Sequence, residues 1–380
     1  MGAPEIFRSG PLRVLGLNSG TSLDALDWAL VEFRGATPKW KVMAEGSWDL
    51  PPHLRRALEY AASAEELRKE TLVRTDVAFG DWLGETVLAL LRQQLRGQQV
   101  DLVASHGQTV GHWPFGGIGA TLQIGDPDHI AKACGLPVVS HFRQGDVAVG
   151  GEGAPLTPGV NRLLFSKPKH TVAVLNLGGM ANISILPPSR ARRSVVGTDC
   201  GPANRLLDIA ARMRLGRSHD ADGKVAMRGE VDAELLAALK RNAWFKRSLP
   251  ASCGREEFNE EFLTESLKNA AVPHSADLLA TLCAFSAWGV ARALRLLDAE
   301  VQSVFAAGGG VHNARLMAEI EEVIAPVPLT TVARLGVHPD SLEAVSFAVL
   351  GYLCARGRAL DLRAVTGARR PAVLGRLAWP

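Results

Sequence analysis

The stretch Gly16–Asp27, with the sequence GLNSGTSLDALD, lies between two short apolar runs of the chain. Leu12–Leu15 precedes it and Trp28–Phe33 follows it, and both runs are short and rich in strand-forming residues. The stretch therefore predicts a strand, a polar turn and a second strand. Backbone N–H groups and hydroxyls in such a turn can bind an anion, beside which Asp24 and Asp27 can hold a divalent metal. An ordinary hairpin loop rich in serine and glycine is the alternative.

Composition places the chain among ordinary globular proteins. It has 380 residues, of which 47% are hydrophobic and 21% charged, and this length favours two domains. A net charge of +3 gives no reason to expect nucleic acid or an anionic membrane as a partner. The five cysteines are scattered without a Cys-x-x-Cys pair, which predicts reduced thiols in a cytoplasmic protein. We expect neither a signal peptide nor a membrane-spanning segment.

The first half of the chain begins with an antiparallel meander. A third apolar run, Trp40–Leu50, follows the first two without a helical crossover, which disfavours a dinucleotide-binding fold. Residues 51–97 have helical spacing of apolar residues, and residues 100–105 predict a buried strand that ends at His106. We favour a structural role for His106 in a capped turn. The spacing of the histidines does not match a compact zinc site; they are His106, His112, His129 and His141.

The second half of the chain repeats this pattern. Residues 172–187 predict a strand, a glycine-rich turn and a strand, and a third strand ending at Asp199 follows. Aligning Gly20 with Gly179 separates the two copies by roughly 160 residues. The repeat predicts a duplicated domain rather than one large sheet.

Three later segments carry further predictions. Residues 244–259 predict an irregular connector with exposed aromatic side chains. A strand, three glycines and a helix follow, and Gly308–Gly310 can let a flat ligand or phosphate approach the backbone at the helix N-terminus. Close packing is the alternative explanation of such a run. Glu343 is expected in the first turn of a helix that extends to about Arg356.

Nine blocks of this sequence together resemble the anhydro-N-acetylmuramic acid kinases of bacterial cell-wall recycling. In that family's order they are GLNSGTSLDALD, ASHGQTVGHWP, LQIGD, HFRQGDVAVGGEGAPLTP, LNLGGMANIS, GTDCGPANRLLD, FAAGGGVHNARLM, PDSLEAVSFAVLG and VTGARRPAVLG. The resemblance implies an α/β fold of two related ribonuclease-H-like (actin-like ATPase) domains with a nucleotide cleft between them. We assign residues 1–140 and about 344–380 to the N-terminal domain, and residues 141–343 to the C-terminal domain.

The resemblance also implies roles for single residues. ATP is expected at two phosphate loops and an adenosine site, with Mg²⁺ held by Asp24. The residues implied for ATP are Gly20, Thr21, Ser22, Leu23, Asp24, Ala25, Leu26, Asp27, Gly178, Gly179, Asn182, Gly308, Gly309 and Gly310. The residues implied for the amino sugar are Thr109, Arg143, Asp146 and Glu343, and Asp199 is the implied catalytic carboxylate. Four positions depart from the family pattern without removing a charged catalytic group: Ala25, Glu152, Cys200 and Ala203.

The implied reaction opens a 1,6-anhydro bridge while a phosphate is added. Asp199 can activate water, and the γ-phosphate can take the departing oxygen, so that one carboxylate suffices. A helix N-cap is the alternative for Asp199. For the whole chain, the alternatives are a kinase of the same fold without ring hydrolysis and a nucleotide-binding regulator without turnover. The amino sugar and ATP are the expected partners, and a homodimer is one option for the oligomeric state.

Overall fold

The computed structural model describes residues 7, 9–20, 23, 25–35, 39–114, 118–191, 193–254, 256–268 and 274–380. Its strands are β1 Leu12–Ser19, β2 Ala25–Arg34, β3 Lys39–Asp49, β4 Leu102–Ser105, β5 Gln108–Trp113, β6 Ala120–Ile124, β7 Val138–Ser140, β8 Val172–Leu177, β9 Met180–Leu186, β10 Val196–Pro202, β11 Ser303–Ala307, β12 Leu329–Thr331 and β13 Arg376–Ala378. Its helices are α1 Pro52–Ser63, α2 Lys69–Gln93, α3 Pro127–Cys134, α4 Phe142–Val147, α5 Thr157–Phe165, α6 Asn204–Leu215, α7 Ala233–Leu239, α8 Glu260–Lys268, α9 Ser275–Leu296, α10 Ala314–Ile324, α11 Leu342–Ala355 and α12 Arg363–Thr366.

The chain divides into two units, Met1–Val160 with Ser341–Pro380, and Asn161–Asp340. The first unit extends beyond the boundary that we predicted at residue 140, because two side chains after that point bond within it. Arg143 donates to His106, and Asp146 accepts from Thr366. These two residues and Glu343 therefore belong to the first unit, not to the second as predicted.

The first unit is built on a six-stranded sheet in the order β13-β7-β4-β1-β2-β3. Strands β1 to β3 form the predicted antiparallel meander, and β4 and β7 continue the sheet in parallel from β1. One face packs against α2 and α3 through side chains such as Leu15, Phe79 and Ile130. Helix α11 crosses the sheet so closely that a Cβ on Gly16 would lie 2.0 Å from the carbonyl oxygen of Ala344. Only glycine permits that approach.

The second unit repeats this topology in a five-stranded sheet. Its strand order is β10-β9-β8-β11-β12, which corresponds to β3-β2-β1-β4-β7 of the first unit. The pairing directions also correspond, because β8 to β10 are antiparallel and β11 and β12 are parallel to β8. The predicted duplication of an α/β domain is confirmed.

The core of the second unit corrects two predictions. The aromatic residues of the connector are not exposed, since Trp244, Phe245 and Phe258 are at most 8% accessible and pack with one another. Helix α9 is long and apolar enough by length and composition to span a membrane, although we expected no such segment. However, 78% of its most apolar window is buried, so it is the central core helix of this unit.

Candidate functional site

Strand β10 carries a bulge at the position of the predicted catalytic carboxylate. Asp199 lies opposite Asn182 of β9, and the register then shifts so that Gly201 lies opposite Ala181. Gly201 has a φ of 117°, which favours glycine, and a Cβ there would lie 3.0 Å from the ring of Phe245. A bulge bends its strand and changes the direction of a side chain, and bulges are frequent beside active sites. This bulge therefore sets the direction of the Asp199 carboxyl group.

The carboxyl group of Asp199 is partly buried and is held by one hydrogen bond. The backbone N–H of Cys253 donates to Oδ2 at 2.7 Å, and among the described residues Oδ1 has no hydrogen-bond partner. Burial raises the pKa of Asp199 from 3.8 to about 6, while the Cys253 hydrogen bond opposes the rise. The helix-cap alternative is wrong, because Ala203 is the N-cap of α6 and no side chain caps it. A carboxylate with this pKa and one free oxygen can act as a general base near neutral pH.

The turn between β8 and β9 is fixed from behind by the start of α6. The carbonyl of Gly178 accepts from the N–H of Asn204 at 3.1 Å, and that of Gly179 accepts from Ala203 and Arg205 at 2.9 and 3.0 Å. A Cβ atom would have its nearest neighbour at 3.6 Å on Gly178 and at 3.9 Å on Gly179. Packing within the chain therefore does not require these glycines. Their open side fits a phosphate group that approaches the backbone closely.

Asn182 connects this turn with the candidate base. In the sheet register it lies between Asn176 of β8 and Asp199 of β10. Directly opposite residues of antiparallel strands have Cβ atoms about 5 Å apart and point to the same face. The predicted nucleotide residue Asn182 and the predicted catalytic residue Asp199 are therefore immediate neighbours in the second unit.

The three glycines after β11 differ in whether the structure requires glycine at their positions. Gly308 has a φ of 81°, and a Cβ there would lie 2.6 Å from Oδ1 of Asn176. A Cβ on Gly310 would lie 2.6 Å from the Cβ of Leu177, whereas a Cβ on Gly309 would have no atom of the described residues within 4 Å. Turn geometry and packing thus explain Gly308 and Gly310. Gly309 alone of the three leaves open space for a flat ligand.

The helix after these glycines does not begin where we predicted. A 3₁₀ turn, Gly309–His312, intervenes, and α10 starts after its N-cap Asn313, whose side chain accepts from the N–H of Leu316. The glycines therefore belong to the loop and the 3₁₀ turn rather than to the N-terminus of an α-helix. A ligand at Gly309 would meet a turn backbone instead of a helix dipole.

Part of the first predicted phosphate loop is strand. The carbonyl of Gly20 accepts from the N–H of Leu23 at 3.2 Å, and Leu23 has a φ of 55°. A positive φ is strained for leucine and is found most often at functional loops. Strand β2 starts directly after the loop with Ala25, Leu26 and Asp27, so these three predicted residues belong to a strand. Leu26 is buried in the core. Three predicted residues lie outside the described part of the chain: Thr21, Ser22 and Asp24.

A second polar cluster lies at the carboxyl ends of strands in the first unit. Glu343, in the first turn of α11, accepts from Nδ2 of Asn18 at 2.7 Å. Arg143 donates from Nε to Nε2 of His106 at 2.9 Å and from Nη1 to the carbonyl of Gly153 at 3.0 Å. Burial lowers the pKa of Arg143, and the nearby charge of Glu343 opposes that shift. Predicted sugar residues Arg143 and Glu343 are thus both half-buried and close enough for their charges to interact.

His106 has a role that the sequence did not indicate. It is buried and stacks on Phe347 with ring centroids 4.5 Å apart. Burial and the charge of Arg143 hold the pKa of His106 well below its ordinary value, so the ring is neutral. Because Arg143 Nε can only donate, His106 Nε2 accepts and the ring proton is on Nδ1. The structural role expected for His106 therefore includes fixing Arg143.

Asp146 serves the loop that follows it. Only 1% of its surface is accessible, and its two oxygens accept from the N–H of Gly153 at 2.8 Å and from Oγ1 of Thr366 at 3.0 Å. Burial raises its pKa despite these bonds. Burial and the charge of Asp146 also raise the pKa of Glu152. In this structure Asp146 braces the glycine-rich loop, and its predicted contact with a sugar remains a prediction.

Several buried polar atoms of the first unit lack a hydrogen-bond partner within its described residues. Thr109 on β5 accepts from Nε2 of Gln123 at 3.2 Å. The buried Oγ atoms of Ser19 and Ser105 and the Oε1 atoms of Gln108 and Gln123 have no hydrogen-bond partner within the described residues. Buried polar atoms in native proteins nearly always have partners, and leaving one unsatisfied costs about 1–3 kcal/mol.

Metal binding has no preformed site in the described part of the chain. No group of three or more His, Cys, Asp or Glu side chains there is arranged to hold a metal ion. Mg²⁺ in nucleotide sites is usually held by one or two carboxylates together with phosphate oxygens. Such a mode of binding does not need a protein cage, and Asp24 lies outside the described residues.

Comparison with known proteins identifies the family. The model of the family described as anhydro-N-acetylmuramic acid kinase matches residues 12–380. The chain belongs to that family. A member from Coxiella burnetii (strain RSA 493 / Nine Mile phase I) is 37% identical over 368 residues, which cover 97% of each chain. A member from Shewanella amazonensis is 37% identical over 362 residues, which cover 95% of this chain and 97% of the relative.

The solved structures that match are more distant. An activator of 2-hydroxyisocaproyl-CoA dehydratase from Clostridium difficile with bound ADPNP has a TM-score of 0.45 and 13% identity, covering 90% of this chain and 96% of that chain. A ROK family glucokinase from Streptomyces griseus in complex with glucose and AMPPNP has a TM-score of 0.39 and 13% identity, covering 89% of this chain and 99% of that chain.

Membership in the anhydro-N-acetylmuramic acid kinase family makes the chain an ATP-dependent kinase. Three of its four departures from the family pattern lie in buried or strand positions of the two units. The fourth, Glu152, is half-buried in the glycine-rich loop that Asp146 braces. Cys200 is buried beside Asp199 in β10, and burial raises the pKa of its thiol well above the ordinary range, so it stays neutral. Ala203 is fully buried at the N-cap of α6, and Ala25 begins β2. None of these residues introduces a charge next to the candidate base.

Proposed function

We propose that this kinase converts anhydro-N-acetylmuramic acid, ATP and water into N-acetylmuramate 6-phosphate and ADP, in cytoplasmic cell-wall recycling and amino-sugar catabolism. The observation that carries the proposal is the state of Asp199. It is placed by a bulge and has a pKa raised to about 6. One of its oxygens accepts from the Cys253 N–H, and the other has no partner in the part of the chain that the structure describes. This is the state that a general base for water requires at neutral pH.

The proposed chemistry balances with one carboxylate. Water attacks the anomeric carbon as Asp199 takes a proton from it, and the bond from that carbon to the bridging oxygen breaks. The bridging oxygen forms a bond to the γ-phosphorus, and the bond from this phosphorus to the β,γ-bridging oxygen breaks to release ADP. The departing sugar oxygen receives phosphorus instead of a proton, so the second carboxylate of an ordinary inverting glycosidase is not needed. The proton on Asp199 returns to solvent after turnover.

The first unit supplies the proposed sugar contacts. Arg143, fixed by His106 and Gly153, can donate to sugar oxygens, and Glu343, oriented by Asn18, can accept from sugar hydroxyls. Thr109 lies in the same unit, where its hydroxyl accepts from Gln123 and can donate to a sugar oxygen. Asp146 would act mainly through the loop that it braces.

The nucleotide is proposed to use residues of both glycine-rich turns and the loop after β11. The open sides of Gly178, Gly179 and Gly309 support contact with phosphate and adenosine. Mg²⁺ held by Asp24 would neutralise charge on the phosphates when bound. Transfer of a phosphoryl group depends mainly on positioning and charge neutralisation, so these residues need no covalent role.

Mg-ATP is expected to stabilise the protein against heat. A ligand that binds only the folded state adds about 2.7 kcal/mol to the free energy of unfolding at a hundredfold excess over its dissociation constant. The melting temperature of the folded protein should rise with Mg-ATP and less with ATP and a chelator. Absence of any shift at saturating Mg-ATP would contradict the proposed nucleotide site.

Isotopic labelling tests the proposed reaction directly. In water enriched in heavy oxygen, we expect one solvent oxygen at the anomeric hydroxyl and a phosphate that carries the former bridging oxygen. Mass spectrometry and phosphorus NMR of the product locate both. A kinase that phosphorylates a free hydroxyl would leave solvent oxygen out of the product, and a regulator without turnover would consume no ATP in the presence of the sugar. Either result would replace the proposed reaction with that alternative.

A further inference from the structure

The segment Ala251–Cys253 lies beside β10 and forms hydrogen bonds with Thr198 and Asp199 of that strand. The N–H of Asp199 donates to the carbonyl of Ala251 at 3.0 Å, and the N–H of Cys253 returns to Oδ2 of Asp199 at 2.7 Å. The chain between β10 and this segment spans about fifty residues, since the second bond joins residues 54 positions apart. The hydrogen bond on the candidate base therefore depends on a remote connector being held in place.

Two side chains hold that segment. Oγ1 of Thr198 accepts from the N–H of Ala251 at 3.0 Å and lies 3.2 Å from its carbonyl oxygen, within reach as a donor. The indole N–H of Trp244 donates to the carbonyl of Ser252 at 2.9 Å. Both side chains are buried, with 6% and 1% of their surface accessible. A buried polar bond without competing water has a well-defined geometry, so each fixes the backbone that it contacts.

Trp244 is fixed in turn by a buried arginine of α9. One terminal nitrogen of Arg292, Nη2, donates to the carbonyls of Phe245 and Arg247. Its guanidinium lies over the rings of Trp244 and Phe245, 5.9 and 5.5 Å from their centroids. The ring of Phe245 packs against the bulge at Gly201. The connector is thus anchored to the core helix on one side and to the bulge on the other.

We propose that Thr198 and Trp244 are positioning residues, which hold the Cys253 amide on Asp199 and thereby orient this carboxylate and favour its ionised form. The proposal rests on Asp199 being the base, as proposed above. Neither side chain bonds to the carboxyl group of Asp199, so each acts through the backbone of Ala251–Cys253. The bond occupies one lone pair of Oδ2 and leaves Oδ1 without a partner among the described residues, so Oδ1 is the oxygen more open to a proton from water.

The electrostatic surroundings of Asp199 make its amide partner important. The titratable side chains next to it are the thiols of Cys200 and Cys253, and burial and the charge of Asp199 raise the pKa of both, so both are neutral. The charged groups around Cys253 are Glu256, Glu257 and Arg247, whereas the pKa of Asp199 itself is set by burial and by the Cys253 hydrogen bond. Among these neighbours, the Cys253 N–H is the group that stabilises the ionised carboxylate.

A matched pair at Thr198 tests the proposal. Thr198→Val removes the hydroxyl and keeps the shape, whereas Thr198→Ser keeps the hydroxyl. We expect Thr198→Val to move the acid limb of the pH–rate profile for single-turnover sugar phosphorylation upward by about one pH unit. A hydrogen bond to a charged group shifts the pKa of that group by this order. Turnover should then fall about fivefold at pH 6 and little at pH 8. Thr198→Ser should keep the wild-type profile.

Trp244→Phe provides an independent second variant. It removes the indole N–H and keeps an aromatic ring in the cluster, and it should move the acid limb in the same direction. Asp232→Asn, at the N-cap of α7, where the side chain accepts from the N–H groups of Glu234 and Leu235, should leave the limb unchanged. The rise of the melting temperature with Mg-ATP should be the same in all four variants, which shows that the nucleotide site is intact.

Several results would overturn the proposal. A lower melting temperature with an unchanged acid limb in Thr198→Val and Trp244→Phe would leave these residues a purely structural role. An equal shift in Thr198→Ser would show that the hydroxyl is not responsible. The role of Asp199 as base is tested separately. If Asp199 is not the base, Asp199→Asn keeps normal turnover, whether or not the two Thr198 variants shift the acid limb.

Discussion

Asp199→Asn is expected to lower turnover of the anhydro sugar by at least about 10²-fold while Mg-ATP still binds. Asparagine keeps the size of the side chain and can still accept the N–H of Cys253 through its amide oxygen. It cannot take a proton from water at neutral pH. The loss should therefore fall on the chemical step and not on nucleotide affinity. Rapid-quench measurement of N-acetylmuramate 6-phosphate, beside a thermal shift with Mg-ATP, separates the two quantities.

Asp232→Asn is a suitable control for this substitution. Asp232 is the N-cap of α7 and accepts from the N–H groups of Glu234 and Leu235, and asparagine caps a helix about as well as aspartate. Its turnover should equal that of the wild type. Turnover of Asp199→Asn within a few fold of the wild type would show that another group activates water. Equal loss of Mg-ATP binding would instead show a damaged nucleotide site.

The fold could be predicted from the sequence because its signals are local. The apolar runs on either side of Gly16–Asp27 and in residues 172–187 identify two meanders, and the strand orders of both sheets agree with that duplication. Local patterns also suggested glycine-rich turns for a ligand. The pattern could not tell which glycines face open space, because that depends on neighbours from other strands. Gly309 is open, whereas Leu177 and Asn176 crowd Gly310 and Gly308.

The interior of the candidate site could not be predicted in this way, because its contacts join distant parts of the chain. Asn18 and Glu343 are 325 positions apart, and the Cys253 amide reaches Asp199 across 54. A backbone N–H carries no signature in the residue type that supplies it. The aromatic residues of the connector looked exposed because hydrophobic periodicity is weak in irregular segments. In the structure Trp244 donates to the carbonyl of Ser252, next to the Cys253 amide that contacts Asp199.

The same substitution, Asp199→Asn, is expected to stabilise the protein at neutral pH. The pKa of Asp199 is about 6 in the folded state and 3.8 without burial, so between these pH values the folded state binds the proton more tightly than the unfolded state. The contribution of Asp199 to the free energy of unfolding of the wild type therefore falls as the pH rises from about 4 to 6, and it stays low above that window. The difference corresponds to up to about 3 kcal/mol of unfolding free energy. Asparagine does not titrate and avoids this penalty.

The measurement compares Asp199→Asn with the wild type across that window. The variant should melt at a higher temperature than the wild type at pH 7.5, and the gap should shrink steadily toward pH 4.5 as the wild-type carboxyl group becomes protonated. Asp232→Asn should follow the wild type at both pH values. A gap independent of pH would mean that the folded pKa of Asp199 is close to 3.8, and the carboxylate would then be too weak a base for the proposed role. A carboxylate that lowers the free energy of unfolding and is essential for turnover is the kind of group that an active site retains, because function depends on it.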